Sequence, residues 1–197
     1  MNKTKRKIFE TSMKLFAEKG YDATSVEEIT SVVGVAKGTL YYHFSSKEEI
    51  FYFLVEEGIK LLQNSITIKI SQQKNSIDKL KSVMMIQLKI LNKYQDFITI
   101  VVSQMWGNEP RNRKCREYVK QYIERIERIA EEGIKNGEII DSSAETIAIS
   151  IFSTTYVSLL YKSSQDNRFN IDDISKEIQN ILFNGLKNRK DYVNKNE

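Results

Sequence analysis

The chain has 197 residues, 41% of them hydrophobic and 28% charged, with one proline and eight glycines. That length holds one ordinary domain or a small domain joined to a larger one, and the balance excludes disordered and collagen-like classes. The net charge of +4 lies mainly at the front, where residues 1–47 carry eight Lys/Arg against five Asp/Glu while the remainder carries 22 against 21; such an excess suits a polyanionic partner or a solvated face.

Few helix breakers and abundant Ile, Leu, Lys and Glu favour long helices, so an all-α chain is expected. Cys115 has no second cysteine to bridge or to share a metal with, which fits a reducing cytoplasm. The basic start MNKTKRKIFE runs into amphipathic sequence without the apolar core of a signal peptide, and the longest apolar run, FITIVV at 97–102, is too short to span a bilayer. A cytoplasmic chain with no membrane partner is expected.

In chain order, residues 5–18 place Ile8, Phe9, Met13, Leu15 and Phe16 on one side of a first helix, with Gly20 just past its end. Thr24 or Ser25 can cap a second helix, with Glu27 or Glu28 completing a capping box and Val26, Ile29 and Val33 on one face. Gly34 interrupts, Val35 anchors, and residues 36–43 form another short helix ending near Phe44. Two short helices around a glycine turn outline a helix-turn-helix at about 24–43. Ser46 and Glu49 form a capping box that opens a long helix with Ile50, Phe51, Leu54, Val55 and Leu62 as its stripe, and the boundary between domains 1–50 and 51–197 is placed inside it.

SQQKNS at 71–76 is turn-like and precedes a helix over about 77–92. A helical segment through FITIVVSQMW follows, then a loop at GNEP and a long helix to about 135 with Pro110 in its first turn. Gly137 ends that helix, and Ser142 with Glu145 offers a capping box for the next, where Ile147, Ile151, Thr155 and Leu159 recur every four residues beside Ala148, Phe152 and Tyr156. Asn170 or Asp172 starts a last helix carrying Ile171, Ile174, Ile178, Ile181, Leu182 and Leu186, before a frayed tail, DYVNKNE.

A helix-turn-helix sets its second helix in the major groove, with flanking groups on phosphates. In VAKGTLYYHF at 35–44, Val35 and Leu40 face inward, leaving Lys37, Gly38, Thr39, Tyr41, Tyr42 and His43 outward. Gly38 allows close approach; Lys37 suits guanine or phosphate, and the tyrosine hydroxyls and His43 suit phosphate oxygens. Thr24 and Ser25, at a helix N-terminus, can hold another phosphate, and Lys47 can close the grip. Packing is the competing explanation for two tyrosines beside a histidine, but neighbouring side chains on a helix project about 100° apart and cannot all face one core.

The segment from about residue 5 to 51, above all ATSVEEITSVVGVAKGTLYYHFSSKEEIF, resembles the DNA-binding domain of the TetR family of bacterial transcriptional regulators. LFAEKGYDATS carries the Phe and Gly-Tyr pattern near the end of the first helix, and Gly34-Val35, Lys37 to Tyr42, Phe44 and Lys47-Glu48 carry the turn, the recognition helix and the opening of the fourth helix. The resemblance implies DNA contact by Thr24 or Ser25, Lys37, Gly38, Tyr41, Tyr42, His43 and Lys47. It also implies a three-helix domain joined by a long helix to a larger bundle of five or six helices, about nine in all, with an internal cavity and dimerisation through the last two helices.

Apolar surface in excess of one bundle interior makes Ile147, Ile151, Thr155, Leu159, Ile174, Ile178, Ile181 and Leu182 the dimer candidates. Met84, Met85, Leu88, Trp106, Tyr118, Tyr122, Phe152 and Tyr156 are soft or aromatic groups suited to an apolar effector, with plain core packing as the alternative. Arg111, Arg113, Lys114 and Arg116 form a basic cluster, either a solvated face or a seat for an acidic head group. The expectation is a ligand-responsive repressor that binds a palindromic double-stranded operator as a homodimer and uses no cofactor. An enzyme has little raw material, with one histidine, one cysteine and no phosphate loop. The alternative is a helical adaptor without sequence-specific DNA binding.

Overall fold

The computed structural model describes residues 2–163 and 170–185. Among the described residues there are nine α-helices and no strand: α1 (Lys3–Lys19), α2 (Val26–Val33), α3 (Lys37–His43), α4 (Lys47–Ile70), α5 (Ser76–Lys93), α6 (Gln95–Ser103), α7 (Pro110–Lys135), α8 (Ala144–Ser163) and α9 (Ile171–Asn184). Leu186 and the tail DYVNKNE lie outside the described residues.

Local signals set most of these bounds. Asn2, Ser25, Ser46, Asn75 and Asn170 each accept a first-turn amide at the start of α1, α2, α4, α5 and α9. Gly34, at φ 75° and ψ 42°, ends α2 in the left-handed conformation, its N–H reaching the Thr30 and Ser31 carbonyls. Two expectations shift. The cap of α8 is Ser143, whose hydroxyl accepts the Thr146 amide at 3.1 Å, rather than Ser142. Helix α6 stops at Ser103, so Gln104 to Trp106 belong to the following loop; the side chain of Asn112 ties that loop back, donating to the Gln104 carbonyl at 3.1 Å.

Helices α1, α2 and α3 close around Ile8, Phe16, Ile29, Val33, Leu40 and Phe44, all buried. Helix α4 leaves this cluster and packs against α5 and α7, α8 lies against α7 and α5, and α9 covers α5 and α8. Short α6 packs chiefly on α1, so the front of the chain rests on the bundle through it. Midway along α4, Gly58 lies under the Phe97 ring of α6, where a Cβ would stand 2.3 Å from ring carbons. Glycine weakens a helix interior, and here the close approach of α6 requires it.

The dimer candidates on α8 and α9 divide between the core and the outer face. Ile151, Thr155 and Leu159 are buried inside the chain, as are Ile174 and Ile178, while Ile147 and Leu182 are half-buried against the same core. Helix α8 is apolar on nearly all sides, and its contacts with α5 and α7 claim the face through Ala148, Ile151, Thr155 and Leu159. The face left outward carries Ile149 and Val157, and on α9 it carries Ile181.

Candidate nucleic-acid interface

Helix α3 is held from below and bare above. Leu40 is fully buried and Phe44 nearly so, while Lys5 stands 4.8 Å over the Phe44 ring and 4.5 Å over that of Phe53. Lys7 of α1 donates to the Val33 carbonyl at 2.9 Å, fixing the end of α2 before the turn. Above, Lys37, Gly38, Tyr41 and Tyr42 are exposed, and Thr39 and His43 are half-buried. Tyr42 is 84% exposed and meets His43 edge to face, ring centroids 5.0 Å apart. A phenol so bare has no packing role.

Gly38 points the same way. A Cβ there would meet nothing within 4 Å, so the fold itself tolerates alanine, a better helix former.

Lys37 pairs with Glu27 of α2 and stands 5.9 Å over the Tyr41 ring. The hydrogen bond and charge of Lys37 hold the Glu27 carboxyl below its ordinary range, and Glu27 raises the Lys37 ammonium in turn. Both groups are exposed, so solvent screens the pair and Lys37 can exchange Glu27 for a phosphate at little cost.

Two sequence candidates turn inward. Thr24 is buried, its hydroxyl donating to the Gly20 carbonyl at 2.9 Å and to that of Leu15 at 3.3 Å, so the exposed Ser25 caps α2 and faces out. Lys47 donates to the Tyr21 and Thr24 carbonyls, both at 2.9 Å, and stands 4.3 Å over the Tyr21 ring. Two of its three N–H donors are thereby spent inside the chain.

The effector candidates do not all converge. Tyr122 and Phe152 meet with ring centroids 5.9 Å apart, Phe152 stacks on Tyr156 at 5.7 Å, and Met84 and Leu88 lie fully buried in the same core. Gln87 knots this region together. Its carbonyl accepts the Tyr122 hydroxyl at 3.0 Å, and its amide donates to the Phe152 carbonyl at 3.1 Å and to Thr155. Gln87 is not among the sequence candidates, and the one local sign of its role is a glutamine inside the Leu80, Val83, Met84, Leu88 and Leu91 stripe of α5. Burial pushes the Tyr122 and Tyr156 phenols well up. By contrast, Met85 lines a shallow hollow of about 210 Å³ on the outer side of α5, Tyr118 is half-buried beside Lys114, and Trp106 is 80% exposed on its loop. Met85 and Trp106 thus stand apart from the core aromatics, whereas Tyr118, as partly buried as Phe152 and Tyr156, packs against the same core.

Two larger apolar hollows lie elsewhere. One of about 350 Å³ opens where α5, α8 and α9 meet the segment Glu138–Ile140, and one of about 330 Å³ opens between α1, α4 and Phe97. Among the described residues, no helix is long and apolar enough to cross a membrane.

Comparison with known proteins extends over nearly the whole chain. Residues 8–52 match the model for bacterial regulatory proteins of the tetR family, and residues 55–185 match that for the C-terminal region of YsiA-like proteins. A solved Clostridium perfringens protein assigned as a fatty acid metabolism regulator is 36% identical, superposes with a TM-score of 0.88, and covers 93% of this chain and all (100%) of its own. The fatty acid metabolism regulator protein of Bacillus subtilis is 26% identical over 186 residues, 92% of this chain and 95% of its own length. IcaR of Staphylococcus aureus, the negative transcriptional regulator of the biofilm operon icaADBC, is 40% identical over 76 residues, 39% of this chain; the match spans 41% of IcaR, the same share as in a further relative 32% identical over 121 residues.

Proposed function

Because this chain belongs to the TetR family of bacterial regulatory proteins and is a DNA-binding transcriptional regulator, we propose that it represses transcription by binding a palindromic operator as a homodimer and leaves DNA on binding a fatty acyl effector. Residues 1–50 form the DNA-binding unit and 51–197 the effector and dimerisation unit. The observation that carries the DNA reading is the bare outer face of α3, where an exposed Tyr42 and an unconstrained Gly38 have no work within the chain. Lys37, Thr39, Tyr41, Tyr42, His43 and Ser25 are the contacting residues, and a two-fold pair would place two such helices in successive major grooves, about 34–36 Å apart.

The outward faces of α8 and α9, carrying Ile149, Val157 and Ile181, support self-association, since exposed apolar surface is covered by a like face in a two-fold pair. Two relatives matched over nearly their full length are named for fatty acid metabolism, which supports an acyl effector. Its chain would replace contacts among Met84, Leu88, Tyr122, Phe152 and Tyr156, and the effector shifts the population by no more than its differential affinity for the two conformations. The test enriches genomic fragments on the full chain, measures affinity for the selected duplex, then adds palmitoyl-CoA and palmitate in separate arms. Selective retention and release by either compound are expected. Retention without sequence preference would overturn the regulator reading, and binding insensitive to both compounds would overturn the acyl effector.

A further inference from the structure

Arg111, in the first turn of α7, joins residues 2–50 to the later helices by side-chain hydrogen bonds and an ion pair. Its Nη2 donates to both carboxylate oxygens of Asp22, at 2.9 and 2.8 Å, across 89 residues of sequence. Its guanidinium lies 4.6 Å over the ring of buried Tyr21, which also carries the Lys47 ammonium at 4.3 Å. Lys47 in turn donates to the carbonyls of Tyr21 and Thr24, the residue just before the cap of α2. Behind Arg111, its Nε donates at 2.9 Å to the side-chain carbonyl of buried Gln104, which also accepts from Asn112 at 3.0 Å. A continuous set of polar contacts thus runs from the end of α6 through Arg111 to the turn at 20–25 that aims α2 and α3.

We propose that Arg111 is a positioning residue for DNA recognition: by clamping Asp22 and Tyr21 it fixes the α1–α2 turn, and so the recognition helix, to the α6–α7 corner. A planar guanidinium is suited to the task because it stacks on the ring while donating to a carboxylate and to Gln104 at once, which an ammonium cannot do. The inference rests on the DNA-binding reading and adds to it residues that never touch DNA.

Asp22 gives the test its sign. It is an exposed acid three residues before Ser25, the cap of α2, so on charge alone Asp22→Asn should leave binding to a polyanion unchanged or tighten it. Positioning requires the reverse. On the duplex selected by the wild-type full chain, Asp22→Asn and Arg111→Gln should each weaken binding roughly 5- to 30-fold, and the double variant should be no weaker than either, as for two groups sharing one interaction. The salt dependence of affinity should stay that of the wild type, because no phosphate contact is lost. Amide hydrogen exchange at residues 21–25 should rise in both single variants. Wild-type or tighter DNA binding by Asp22→Asn would overturn the proposal. Should the wild type select no duplex, the regulator reading falls, and exchange alone decides the clamp: unchanged protection at 21–25 in both variants would overturn it.

Discussion

At the scale of single residues, function and fold make opposite demands, and Gly38 shows it best. Among the described residues a Cβ at that position would have no tertiary neighbour within 4 Å, so Gly38→Ala should stabilise the fold by up to about 1 kcal/mol through helix propensity and a less flexible unfolded chain. The same methyl group would hold DNA away from α3, so affinity should fall; thermal melting and duplex titration on one preparation read the two signs. Tyr42→Ala should likewise weaken DNA binding while leaving the melting temperature nearly unchanged, since its ring is 84% exposed. Cys115 is the reverse case, with no outward role. Burial pushes its thiol up to about 11, leaving little thiolate at neutral pH, so alkylation of the native chain should be slow and should become fast once denaturant opens the core.

At the scale of elements, packing decides what a helix face does. Helix α4 passes Phe97 at Gly58 with no room for a methyl group. Gly58→Ala should therefore destabilise the chain by roughly 1–2 kcal/mol despite the better helix former, because overpacking exceeds the propensity gain. Adding Phe97→Leu should recover most of the loss, and denaturant midpoints of the three proteins check the sign. Helices α2 and α3 were legible from sequence because glycine punctuation and Ser capping are local. The side of α8 that meets solvent was not legible, because a helix whose apolar residues spread well beyond one narrow face has no unique inward face until α5 and α7 choose one.

For the whole molecule, the proposed homodimer makes DNA affinity depend on two recognition helices held in register. Val157→Asp and Ile181→Asp place charges on exposed positions of α8 and α9, so each chain should keep its helical content while the pair separates. Sedimentation should then report a monomer, and affinity for the selected palindrome should fall by one to two orders of magnitude or more, as about one linked contact is lost. A dimer that survives both substitutions would place the interface elsewhere. Periodicity, caps and turns act over a few residues, so the all-α class, the helix-turn-helix at the front and the outward set Lys37, Gly38, Thr39, Tyr41, Tyr42 and His43 can be read from local pattern. That Thr24 and Lys47 work inward, that Gln87 knots the core, and that Arg111 reaches Asp22 emerges with the packed helices. Those assignments follow from how helices distant in sequence are rotated against one another, which local pattern leaves undetermined.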